Sequence, residues 1–162
     1  MFLTFIQLGL IIVLFAMFMT VTVAFLLKII VKSAPQDIQQ VISKRPPQPM
    51  WKTVTGAVLA LLLIAGFAAV LFWAGYDAVS KNMSFWQIFA RSEIILIGYK
   101  LFDMFVFDIL IISKGRLFER LFPETKDCAS IKNFGFNLKS QTAKLFVFTG
   151  ISLAAAALLS SL

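Results

Sequence analysis

The sequence has no histidine and one cysteine, Cys128. A single thiol closes no internal disulfide, and without histidine there is no Cys/His zinc site, no histidine haem ligand and no imidazole base. No metal and no cofactor are therefore expected. Acidic residues are few, eight against fifteen Lys and Arg. Charge of either sign is missing altogether from residues 1–27 and 53–76. The phosphate-cradling pattern G-x-x-x-x-G-K-[ST] and the nucleophile elbow G-x-S-x-G are absent as well, so phosphate-loop hydrolysis and the common serine hydrolase layout lack their parts.

What fills the chain is apolar. Of its 162 residues 60% are hydrophobic, eighteen of them Phe, and the mean hydropathy is +0.90, outside the range of an ordinary soluble domain. Four stretches, about 2–27, 53–76, 92–113 and 143–162, are long enough as helices to cross about 30 Å of hydrocarbon. The expectation is an all-α fold: one integral membrane domain over 1–162, a bundle of four transmembrane helices with short interfacial helices. The first stretch lacks a basic leader and is far longer than the apolar run of about 7–15 residues in a signal peptide, so it reads as a retained span.

Between the spans the composition changes. Ser33-Ala-Pro-Gln36 resembles a capping box ahead of Ile38, Val41 and Ile42, which predicts a short amphipathic helix on the membrane surface. Arg45-Pro-Pro-Gln-Pro49 forbids helix and turns the chain back. In the second span Gly56-xxx-Ala60 and Ala65-xxx-Ala69, and in the fourth Gly150-xxx-Ala154, are small-xxx-small pairs that allow close helix approach. Phe85, Trp86, Ile88 and Phe89 predict an aromatic anchor at head-group depth. Past the third span Leu117, Phe118, Leu121 and Phe122 recur at helical spacing up to Pro123, and a polar loop through Cys128 and Gly135 follows.

The basic residues set an orientation. Lys28, Lys32, Lys44, Arg45 and Lys52 follow the first span, and Lys114, Arg116, Arg120, Lys126, Lys132, Lys139 and Lys144 follow the third. Only Lys81 and Arg91 lie between the second and third. Twelve against two places the first and third loops in the cytoplasm of a multi-pass cell-membrane protein, with both termini outside. The formal net charge of +7 thus serves anionic head groups, with Arg116, Arg120 and Lys126 as contacts, and membrane lipid rather than nucleic acid is the expected partner.

One span is unlike the others. Residues 91–114 hold Lys100, Asp103 and Asp108 inside a membrane-length apolar run, where each charge costs about 2.5–3.5 kcal/mol on insertion scales unless it finds a partner. Lys100 and Asp103 stand at i, i+3 and can pair. Asp108 would lie about 140° around an α-helix from Asp103, and depth counting puts it level with Thr20 and Thr149, with Ser152 beside Asp103. These six residues are the candidate polar centre. The bland alternative for the threonines is a hydroxyl bonded back to its own helix.

Leu101-Phe-Asp-Met-Phe-Val-Phe-Asp108, followed by Phe122-Pro-Glu-Thr-Lys-Asp127, resembles a family of small bacterial four-span membrane proteins that carry D-x4-D in the third span and a proline-led acidic loop after it. The resemblance covers the second half of the chain and implies the four-span fold, but no activity. Size and basic charge are also similar to the glutathione-dependent trimeric four-helix membrane enzymes. Their Arg, Asn and Glu motif residues have no counterpart here, so that activity is not implied.

These features favour a non-enzymatic component of a transport or membrane assembly, working as a homo-oligomer or beside other membrane subunits, with a buried polar centre on the third span. Two other readings stay open: a homo-oligomeric proton- or ion-coupled transporter, and a lipid-modifying enzyme using Asp103 or Asp108 as acid or base.

Overall fold

The computed structural model describes residues 1–32, 34–132 and 138–161, and among them every regular element is helical. Ser33, named above as a cap, and Gly135 lie outside the described residues. α1 spans Phe2–Phe25, α2 Leu27–Lys32, α3 Gln36–Ile42, α4 Met50–Ser80 and α5 Phe85–Phe102. α5 passes without a break into a π-helical segment, Asp103–Lys114, and α6 (Leu117–Leu121), two 3-10 turns and α7 (Leu138–Leu159) complete the chain. α1, α4 and the stretch Ser140–Leu159 of α7 are long and apolar enough to cross a membrane. The helix through α5 and the π segment is longer than a bilayer requires but carries six charged residues, Arg91, Glu93, Lys100, Asp103, Asp108 and Lys114.

Helix boundaries follow local chemistry. The backbone N–H of Ser84 donates to Gln87 Oε1 at 3.0 Å, the reciprocal half of a capping box, and this starts α5 at Phe85, so that Phe85–Ser92 is helix. Ile88 is buried with Phe85 and Phe89 partly buried against it, while the rings of Phe85 and Phe89 meet the exposed Trp86 edge to face. Asn82 supplies the left-handed φ of 47° in the turn before, a conformation asparagine tolerates. The Pro46–Pro49 stretch is non-helical and α4 starts directly after it. The helix of the third predicted span does not run on to Pro123: it stops at Gly115, and Arg116 turns the chain with φ 49° before α6.

The long helices pack in the order α4, α1, α5, α7: α1 lies along both α4 and α5, α5 lies along α7, and α4 meets α7 only briefly. That brief meeting is at one end, called the upper end here, where Ala78, Ile88 and Ala156 are buried together. Midway, Ile11, Ala74 and Ile95 join α1, α4 and α5. At the lower end Ile30, Ala34, Ile38, Ile42, Phe118 and Phe122 form a separate apolar layer made by α2, α3, α6 and their connections. Arg45 clamps that layer with both its Nε and Nη2 on the Glu124 carboxylate and its guanidinium 4.8 Å over the Phe122 ring.

The three small-residue pairs differ. A Cβ on Gly56 would stand 2.5 Å from Phe25 Cβ, so Gly56 and the buried Ala60 take α1 into close contact. Ala65 and Ala69 are exposed, and a Cβ on Gly150 would meet nothing within 4 Å.

Candidate functional site

Four helices bring polar side chains into the interior, and they gather at two levels. The upper level was not anticipated. Arg91, buried in the first half of α5, donates from Nη1 to Asp77 Oδ2 of α4 at 2.7 Å and from Nη2 to Gln7 Oε1 of α1 at 2.9 Å. Its Nη1 also lies 3.7 Å from the Met83 sulfur. The second oxygen of Asp77 is 2.8 Å from the exposed Lys81 ammonium. Arg91 is therefore no loop cation; its planar fork fastens three helices at once, which a lysine in its place could not do. Gln7 is 0% exposed and its Nε2 has no partner among the described residues.

Below this level the interior is aromatic. The ring of Tyr99 meets Phe15 of α1 at 5.3 Å, Phe67 of α4 at 6.1 Å and Phe148 of α7 at 5.9 Å, all edge to face. This septum, with Ile11 and Ile95, separates Arg91 from Lys100.

The lower level contains the predicted centre. Lys100 Nζ pairs with Asp103 Oδ2 within the same helix, and both side chains are nearly out of reach of solvent. Asp108 has no cation bonded to it among the described residues; its Oδ2 accepts a hydrogen bond from Gln141 Nε2 of α7. The expected hydroxyl partners lie elsewhere. Thr20 Oγ1 donates to the Ala16 carbonyl of its own helix at 2.8 Å and is exposed; Thr149 is half-buried. Ser152, one turn beyond Phe148 toward Ala156 and so on the upper side of Tyr99 rather than beside Asp103, is 0% exposed with its Oγ unpartnered among the described residues. The structure thus brings Lys100 and Asp103 together, leaves Thr20 and Thr149 off Asp108, and supplies Gln141 instead.

Two physical reasons account for the difference. Asp108 lies in a π-helix, whose bonds run i→i+5; the Gly115 N–H accordingly donates to the Leu110 carbonyl at 2.8 Å and Ser113 Oγ to the Asp108 carbonyl at 2.8 Å. A five-residue step then completes about one turn, so Asp108 returns toward the side of Asp103 and not 140° from it. Gln141 falls before the predicted fourth span at 143–162, yet α7 begins at Leu138. Gln141, Leu145, Phe148, Ser152 and Ala156 repeat at 4, 3, 4 and 4 residues, the seam of α7 that meets α5.

Arg116, Arg120 and Lys126 are exposed at the lower end, Arg116 paired with Glu119 at 3.3 Å. Their position is away from the polar centre. Chemically, the lower level offers one satisfied ion pair and one carboxyl hydrogen-bonded to an amide, and no group of three or more His, Cys, Asp or Glu that could hold a metal is found among the described residues. Comparison with protein-family models, curated proteins and solved structures finds no match.

Proposed function

We propose that the chain is a four-span membrane protein, its lower end in the cytoplasm and both termini outside, and that it serves as a non-enzymatic component of a transport or membrane assembly. Its working part is the lower polar level of the third helix, and the partner is a second copy or another membrane subunit. The observation that carries this reading is Asp108: a carboxyl on a membrane-length helix whose one side-chain hydrogen bond among the described residues comes from an amide of the next helix, within a π segment. Intramembrane acids mark function by default, and π segments concentrate at functional sites. The septum around Tyr99 favours an assembly component over a transporter, because it stands between the two polar levels. The twelve-to-two division of basic residues supports the orientation, and Arg91, spent on a buried ion pair, makes the upper connection less basic still.

The test uses the chain extracted from its own membranes in mild detergent, with and without prior cross-linking. The wild type should migrate as an assembly heavier than one 18.1 kDa chain plus detergent. Asp108→Asn keeps the acceptor to Gln141 and should melt like the wild type, yet lose the partner. A monomeric wild type, or an Asn variant in an unchanged assembly, overturns the reading.

A further inference from the structure

A groove of about 790 Å³ opens at the lower end between α2, α3 and the Arg45–Pro49 connection. Leu27, Val31, Ile42 and Phe122 give it an apolar floor, and Lys28 and Lys32 stand on its rim. The two lysines are one helical turn apart on α2, about 5–6 Å between their Cβ atoms. Both are exposed, and neither has an acidic partner among the described residues. Arg45, the third cation, is already neutralised by Glu124. The unmatched charge of the groove is therefore the Lys28–Lys32 pair.

Its depth is fixed by the chain. α1 ends at Phe25, two residues before Leu27, and α4 starts at Met50, directly after Pro49. The groove is thus framed by the segments through which two membrane-length helices emerge. Trp51, 62% exposed with Lys52 Nζ 5.7 Å from its ring centre, marks the same level, where tryptophan gathers in membrane proteins.

We infer that this groove binds one anionic phospholipid of the surrounding leaflet, its phosphodiester between Lys28 and Lys32 and an acyl chain along Leu27 and Val31. Two adjacent cations over an apolar floor complement a charged head and a hydrocarbon tail together, a combination that a soluble anion lacks. The site is separate from the Asp108 centre, and it stands or falls independently of it.

Native mass spectrometry of the full chain in neutral detergent tests it, with dioleoylphosphatidylglycerol, dioleoylphosphatidylcholine and inorganic phosphate as probes. Phosphatidylglycerol should be retained at least tenfold better than phosphatidylcholine. Lys28→Gln with Lys32→Gln should lower that retention roughly tenfold or more, Lys28→Arg with Lys32→Arg should keep it, and Lys114→Gln, at an exposed lysine of the same end that does not line the groove, should leave it unchanged. A large excess of inorganic phosphate should not displace the lipid. Equal retention of the two lipids, equal retention by the double glutamine variant, loss in the Lys114 control, loss in the arginine variant or displacement by phosphate would each overturn the proposal.

Discussion

The two polar levels of the third helix solve the same problem in different ways. Each holds charged side chains in an apolar interior, where an unpaired charge would be expelled. At the upper level Arg91 takes its acceptors from two other helices, Gln7 of α1 and Asp77 of α4, with ordinary α-helical winding throughout. At the lower level the ion pair is local, Lys100 with Asp103 three residues on, and among the described residues the inter-helix bond falls to Asp108 and Gln141. The upper network is a fastening, since one side chain of α5 is bonded to both α1 and α4. The lower one adds, among the described residues, one amide hydrogen bond from α7 and no ion pair to Asp108, so it fastens fewer helices than the upper one.

Removing one carboxyl from each level sharpens that contrast. Asp77→Asn leaves Arg91 as a buried cation whose acceptors, the Gln7 carbonyl oxygen and the amide oxygen at position 77, are both neutral, with Lys81 still beside it, and should lower stability by about 3–5 kcal/mol. Asp103→Asn leaves Lys100 unpaired too, but no other helix is released, so the loss should fall near the low end, about 3 kcal/mol. Thermal and denaturant unfolding in detergent give the order. If Asp103→Asn proved the more damaging, the upper network would not be the principal fastening.

Next in size is the contrast between two glycines that the sequence presents alike. Gly56 meets Phe25 and Leu26 of the first membrane helix and its connection, whereas Gly150 faces outward with nothing near it. Gly56→Leu should cost about 1–3 kcal/mol through overpacking. Gly150→Leu should leave the melt of the isolated chain unchanged and act only on an assembly, if α7 is where a partner packs. A destabilised Gly150→Leu monomer would show that the open face of α7 is closed within one chain.

Much of this was legible from residue order alone. Uninterrupted apolar length announces membrane-crossing helices because each must satisfy its backbone internally, and the i, i+3 spacing of Lys100 and Asp103 announces their pairing. Ser84-Phe-Trp-Gln87 is a capping box written in the sequence, and reading it would have put Arg91 inside a helix rather than in a loop. Gln7 is hidden because one uncharged amide leaves the mean hydropathy of so long an apolar run high, at 2.6, although Thr4, Gln7 and Ile11 share one helix face. Gln141 could have been found by extending the seam of Ser152 and Phe148 back by turns. The π winding could not: it arises where the helix must serve α1, α7 and the lower layer together, and no periodicity in 103–114 encodes it.

The smallest expected effect concerns the lower apolar layer, which is held by carboxylates outside the membrane-length helices. Asp37 Oδ2 accepts the Ser130 N–H at 3.0 Å and its Oδ1 the Ile38 N–H at 2.9 Å. The Ser130 backbone donor chiefly holds the Asp37 carboxyl below its ordinary value of 3.8, against the opposing pull of desolvation. The Arg45 side chain does the same for Glu124 below 4.5. A carboxyl whose folded pKa is depressed binds its proton more readily when unfolded. Its contribution to stability is therefore complete above the unfolded value, near pH 4–5, and is lost as pH falls through the lower folded value. Between pH 6 and pH 3 the Ser130 and Ile38 amides should lose hydrogen-exchange protection, after correction for intrinsic rates, before the amides midway along α1 and α4 do. Asp37→Asn, which removes the titrating group, should show a weakened Ser130 amide already at pH 6 and little further change on acidification. Unaltered Ser130 protection across that range in the wild type would mean that the layer is held by Ile38, Phe118 and Phe122 packing alone, and that the charges at this end are free for the lipid surface.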